Sequence, residues 1–258
     1  MLWLNTRMGN LVENDLEPVG NWAEAVSKSK GYQDGSLAGD FLEQFIVDLP
    51  LRLLNNNLTV PFSEKFSLRR IHLLLGFLTA TQNKENVKIA DVGGGNGYMY
   101  DWVKQAKLCA NLDWTVYESK TIAENYMTAG LGLNIAFSEL KQFDTKTKFD
   151  LTIISCALQY LENWEEVLVT ASKNSSCILI MRTPIVLSPE HKYFIQKNNT
   201  GIYGKSSSSW PFIMFSKNLF EEILSKLGEV IIFCTDPQEV FPFNKRSVSM
   251  STYMLKCS

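Results

Sequence analysis

A chain of 258 residues can bury a full core, and its length suits one domain with an elaboration rather than two large domains. With 45% hydrophobic and 20% charged residues it has the balance of a folded protein and not that of a disordered one. A formal net charge of -2 gives no overall basic field for nucleic acid, and five scattered cysteines without a CxxC pair indicate neither a disulfide framework nor a metal site.

Residues 1–85 lack regular strand-helix alternation and read as a mostly helical extension, expected to pack on a sheet and help cover the active site. Within it FSLRRIHLLLGFLTAT, residues 66–81, predicts a helix with a broad apolar face. The first residues hold no signal-peptide core, and no stretch approaches the roughly 18 apolar residues that span a bilayer. The expectation is a cytoplasmic protein without a membrane span. From residue 86 to 258 short β-branched runs alternate with helical segments, the pattern of βαβ units and a parallel sheet. Strands are predicted at 87–92, 113–118, 133–137, 149–154, 177–182, 229–234 and 250–257, and helices at 97–107, 120–129, 163–172 and 216–227, the last with Ser216 as its N-cap. No helix separates the final two strands, so an antiparallel hairpin at one edge is expected. The Ser-rich segment 183–215 reads as a long inserted loop of the kind that forms a lid, a binding loop or a disordered segment. Trp210, Phe212, Phe215, Phe220, Phe233, Phe241 and Phe243 read as core packing in preference to ligand stacking.

The run DVGGGNG, Asp91 to Gly97, follows the first of these strands and precedes a helix. Glycines 93, 94, 95 and 97 allow a sharp turn and a close approach of backbone to a ligand. A dinucleotide site wants GxGxxG, but here the third glycine comes one residue early, which disfavours a nicotinamide-dependent oxidoreductase. S-adenosylmethionine presents an amino-acid end instead of a pyrophosphate, and Asp91 is placed to take up its ammonium directly or through water. Glu118, with Ser119 beside it, ends the second strand about 20 residues on, where an acidic side chain accepts ribose hydroxyls. Ser138 and Glu139 follow the third strand, at the adenine position, although a helix start explains Ser138 equally well. Ser155 to Tyr160, Ser155 and Cys156 first among them, follow the fourth strand and would line the methionine end, or serve the core or a helix start.

With these pieces placed, the chain resembles a family of bacterial class I methyltransferases associated with cell-surface polysaccharide gene clusters. The resemblance rests on Trp22, Ala25, Gly31 and Tyr32, on WTVYE and ISCALQYLENW, on RTP at Arg182 to Pro184, and on WPFIMFSKNLFEEIL. It implies a Rossmann-like seven-stranded α/β sheet with a helical N-terminal extension and an insertion after the fifth strand. It also implies S-adenosylmethionine as cofactor, S-adenosylhomocysteine as product, and cofactor roles for Asp91, Gly93, Gly95 and Glu118. The implied activity is O-methylation of a sugar or sugar derivative for capsule or O-antigen. A non-catalytic cofactor-binding scaffold and a small-molecule N- or O-methyltransferase outside glycan metabolism stand beside it.

Methyl transfer depends mainly on aligning an acceptor with the methyl, and a general base helps when the acceptor is an alcohol. Of two histidines, His191 in the insertion is the better candidate for catalysis or substrate contact, against a solvated loop residue; His72 lies in the helix before the sheet. Arg182 at the end of the fifth strand suits an anionic acceptor such as a sugar phosphate or uronic acid, or else an internal salt bridge. Tyr160, Tyr203 and Trp210 are the remaining substrate candidates, and Tyr203 and Trp210 could equally anchor the insertion. The expected partner is a small-molecule or glycan acceptor, with a nucleotide-activated sugar as one form; nucleic acid is not expected, and oligomeric state is not readable.

Overall fold

A computed structural model describes residues 16–30, 64–82, 84–128, 134–197, 209–243 and 246–257. In chain order these form β1 (Leu16–Val19), α1 (Trp22–Lys28), α2 (Glu64–Thr81), β2 (Asn86–Val92), α3 (Tyr98–Ala106), β3 (Asn111–Glu118), α4 (Lys120–Thr128), β4 (Ala136–Glu139) and β5 (Phe149–Ser155). Then follow α5 (Trp164–Asn174), β6 (Ser175–Val186), β7 (Lys192–Lys197), β8 (Ser209–Ser216), α6 (Lys217–Leu227), β9 (Gly228–Phe243) and β10 (Arg246–Cys257).

Seven of these strands make the main sheet in the order β4-β3-β2-β5-β6-β10-β9. Strands β4 to β6 pair in parallel, and β10 lies antiparallel between β6 and β9. The expected Rossmann-like sheet with a terminal antiparallel hairpin is therefore present. Alternation along the strands divides the apolar residues between two faces. On one, Val87 and Ile89 of β2 and Trp114 and Val116 of β3 pack with Leu73 and Phe77 of α2 and Met99 and Val103 of α3. On the other, Ala90 and Val92 pack with Trp164, Val167 and Leu168 of α5 and Phe220 and Leu224 of α6. Burying both faces is why these strands read as nearly continuous apolar runs.

The insertion departs from the sequence reading. Residues 192–197 and 209–216 are strands rather than loop: β7 and β8 pair antiparallel, and β1 adds to the far edge of β7. This small sheet joins the large one where Ile185 and Val186, the last residues of β6, pair with Phe215 and Ser216 of β8. Its core is Leu16, Val186, Phe194, Phe212 and Met214, with Cys156 and Tyr160 packed against it. Pro211 obscured β8 in the sequence because proline cannot donate to a ladder; it sits in the half of β8 that β6 does not reach. The described part of the N-terminal extension likewise holds a strand besides its helices. Strand β4 lies later than predicted, at 136–139 rather than 133–137. Ser216 precedes α6, but its side chain makes no cap: Ser216 Oγ donates to the Ser188 carbonyl at 2.6 Å.

Candidate functional site

The C-terminal ends of β2, β3, β4, β5 and β6 carry the polar residues singled out in the sequence, on the side where open α/β sheets bind ligands. The loop after β2 is left-handed at Gly93 (φ 67), Gly95 (φ 58) and Gly97 (φ 69), a conformation that costs glycine little. Gly93 N–H donates to the Tyr117 carbonyl at 2.8 Å, tying the loop to β3. A Cβ at Gly93 would lie 2.4 Å from that of Ala157, and one at Gly94 would lie 2.3 Å from Asp91 Cγ. At Gly95 a Cβ would meet nothing within 4 Å, so the backbone there faces open space. Gly97 caps α3 without a side chain.

Glu118 turns back onto this loop. Its Oε1 accepts from Gly95 N–H at 3.1 Å and its Oε2 from Ser119 N–H at 2.8 Å. A carboxylate has about four acceptor positions, so further lone pairs remain for a ligand. Glu118 is largely buried, and burial pushes its carboxyl above the usual range while the two N–H groups pull the other way. Asp91 lies under the Gly94 backbone with no exposure to solvent. Its Oδ2 accepts from Trp114 Nε1 at 3.2 Å, while Oδ1 is buried without a partner. Burial raises its pKa to about 7, against which the Trp114 bond works.

Ser138 and Glu139 sit beside Tyr117 and Glu118 in the β3–β4 register. The Ser138 hydroxyl bonds Gln142, and Glu139 pairs with Lys141 at 2.5 Å. At the end of β5, Ser155 is buried with its Oγ unpartnered, and Cys156 adopts φ 56, strained for a residue with a side chain. Gln159 Nε2 donates to Cys156 Sγ at 3.1 Å. Arg182, buried in β6, is similarly strained at φ 57. Burial pushes the Tyr98 hydroxyl up, against the positive charges of Arg182 and of Arg69 on α2.

Of the proposed acceptor residues, Tyr160 and Trp210 are brought together: Tyr160 Oη at 2.9 Å and Trp210 Nε1 at 2.8 Å both donate to Gln196 Oε1. Tyr203 lies outside the described residues. His191 accepts from Ser216 N–H through Nδ1 at 3.0 Å, with its ring edge-on to Trp164 and Phe215. A neutral imidazole that accepts at Nδ1 carries its proton on Nε2, so neither nitrogen is available as a base while that bond stands. His72 lies elsewhere, on α2 against β9 and β10. Sequence reasoning missed Trp114, Arg69, Tyr98 and Gln196. Only Trp114 left a signal, as a polar-tipped residue two positions before Val116, the neighbour of Asp91 in the ladder.

The residues fit the cofactor that the sequence resemblance implies: open space over Gly95, a carboxylate beside it with spare acceptors, and buried polar atoms at Asp91 and Ser155. A surface depression of about 820 Å³ lies at the opposite end of the strands, lined by Lys88, Lys104, Asp113 and Asp150, and includes none of these residues. Among the described residues no group of three or more His, Cys, Asp or Glu could hold a metal, and no helix is long and apolar enough to cross a membrane.

No family model matches the chain, and no curated protein matches it. Solved structures similar to it include 1,6-didemethyltoxoflavin-N1-methyltransferase of Burkholderia thailandensis, with bound 1,6-didemethyltoxoflavin and S-adenosylhomocysteine. It is 12% identical, with 94% of this chain and 95% of that one covered and a TM-score of 0.49. The N-terminal domain of EvdMO1, crystallised in the presence of S-adenosylhomocysteine and D-fucose, is 12% identical over 72% of this chain and 83% of its own, with a TM-score of 0.49. An S-adenosylmethionine-dependent methyltransferase of Clostridium acetobutylicum is 11% identical over 83% and 97%, with a TM-score of 0.48.

Proposed function

We propose that this protein is an S-adenosylmethionine-dependent methyltransferase that O-methylates a sugar or sugar derivative in the assembly of bacterial surface polysaccharide. The observation that carries the cofactor reading is Glu118, held by Gly95 and Ser119 N–H groups over a glycine loop that opens to space at Gly95. The sugar reading rests on the resemblance in LQYL, RTP and WPFIMFS. When bound, the cofactor supplies an activated methyl group for in-line displacement by an acceptor oxygen.

Glu118 takes the ribose hydroxyls, with Ser119 fixing its orientation, and the backbone of Gly93 to Gly97 lies against the amino-acid end. Asp91, shut beneath Gly94, acts on that end through the loop rather than by contact. Ser138 and Glu139 bound the adenine side, and Ser155 and Cys156 the methionine side. Arg182 supplies positive charge for an anionic acceptor, and Tyr160 and Trp210, locked by Gln196, form a rigid wall. His191 anchors that side through Ser216, so the rate rests on alignment more than on a base.

A turnover assay on a panel of nucleotide sugars tests this, following S-adenosylhomocysteine release. Methyl transfer to at least one acidic sugar is expected, lowered about 10- to 100-fold in Arg182→Ala, the cost of a lost charged hydrogen bond. Cofactor binding without transfer to any acceptor, in active cell extract too, would replace this reading with a non-catalytic scaffold.

A further inference from the structure

Helix α2 lays His72 across the β9–β10 ladder, away from the glycine loop. His72 Nε2 is 3.2 Å from Cys234 Sγ, and His72 Nδ1 is 3.3 Å from Thr252 Oγ1. Cys234 and Thr252 are direct cross-strand partners, so their side chains share the face on which α2 packs. One imidazole spans both. With Thr252 accepting from Nδ1–H, the Nε2 lone pair faces the thiol, which is the order of nucleophile, base and orienting group that activates a thiol. Cys234 is also partly exposed, so a small reagent can reach it.

We propose that Cys234, activated by His72 and oriented through Thr252, is a reactive thiol and the site at which small soft electrophiles modify this protein. The step needs no redox partner. The thiol proton passes to His72 Nε2, Sγ attacks the electrophilic carbon, the new C–S bond forms as the bond to the leaving group breaks, and that group departs with the electron pair. The imidazolium then returns its proton to water. The other cysteines supply the contrast. Cys109, Cys156 and Cys257 are partly exposed like Cys234, and Cys177 is buried. Burial pushes the thiols of Cys109, Cys177 and Cys257 up, the last to about 11. The chain's second histidine, His191, is engaged with Ser216.

The test is limiting iodoacetamide at pH 7 on the full chain, with each cysteine read by peptide mass spectrometry. Cys234 should be alkylated about tenfold or more faster than Cys109, Cys156 or Cys257, because an imidazole stands ready to take its thiol proton. In His72→Asn that advantage should be lost, with thermal melting confirming the fold. Labelling of wild-type Cys234 no faster than that of Cys109 would overturn the proposal without any variant being needed. Unchanged Cys234 labelling in folded His72→Asn would reduce the contact to packing.

Discussion

Asp91 is a carboxyl with no solvent, one donor from Trp114 and one oxygen unpartnered, and its chemistry follows from that. Its pKa is about 7 folded against 3.8 unperturbed, so the unfolded chain gives up its proton first as pH rises. The contribution of Asp91 to the stability of the ligand-free protein is therefore fully present below about pH 4 and is lost as pH rises through about 7, a change of about 4 kcal/mol. Asp91→Asn should abolish that slope and melt higher than wild type at pH 8 without ligand; identical melting profiles from pH 4 to 8 would contradict it. His191 works with the opposite sign. Burial lowers its pKa below 6.5, so its contribution is complete above that value and is lost as pH falls through and below it. His191→Ala should cost about 1–3 kcal/mol in urea denaturation by leaving Ser216 N–H unpaired, and should flatten the acid side of the profile. The glycine turn and the place of Glu118 beside it were legible because both depend on spacing from strand ends. Trp114 and Gln196 were not, since their partners lie 23 and 14 or more positions away and only folding brings them together.

At the scale of elements, apolar runs with turn residues between them revealed the main strands and helices, while the small β1-β7-β8 sheet stayed hidden. KYFIQK in β7 looks polar because three of its six residues are Lys or Gln, yet Phe194 and Ile195 are buried and Gln196 is buried by its two donors. That glutamine is the clamp between the small sheet and the turn after β5. Gln196→Leu removes the acceptor shared by the partly buried Tyr160 and the buried Trp210, at about 1–3 kcal/mol. It should also raise KM for the acceptor more than KM for the cofactor. A stability change under 0.5 kcal/mol would mean that the small sheet is held by its apolar core alone. The left-handed Cys156 and Arg182 were equally illegible, because neither residue type announces a positive φ.

For the whole molecule, the order β4-β3-β2-β5-β6-β10-β9 gathers strand ends far apart in sequence onto one edge, and the cofactor reading depends on that edge. The sequence conveyed the order only through resemblance, since periodicity says which segments are strands and not which neighbours they choose. The insertion stayed less legible because it contributes strands, a clamp and a histidine anchor instead of a single lid. The most direct measurement is calorimetric titration of the purified protein with S-adenosylmethionine, S-adenosylhomocysteine and NAD, alongside Glu118→Ala. Saturable one-site binding of both sulfur nucleosides, weakened about 10- to 100-fold by Glu118→Ala, with no binding of NAD, is the predicted result. Tight binding of NAD with none of S-adenosylmethionine would contradict it.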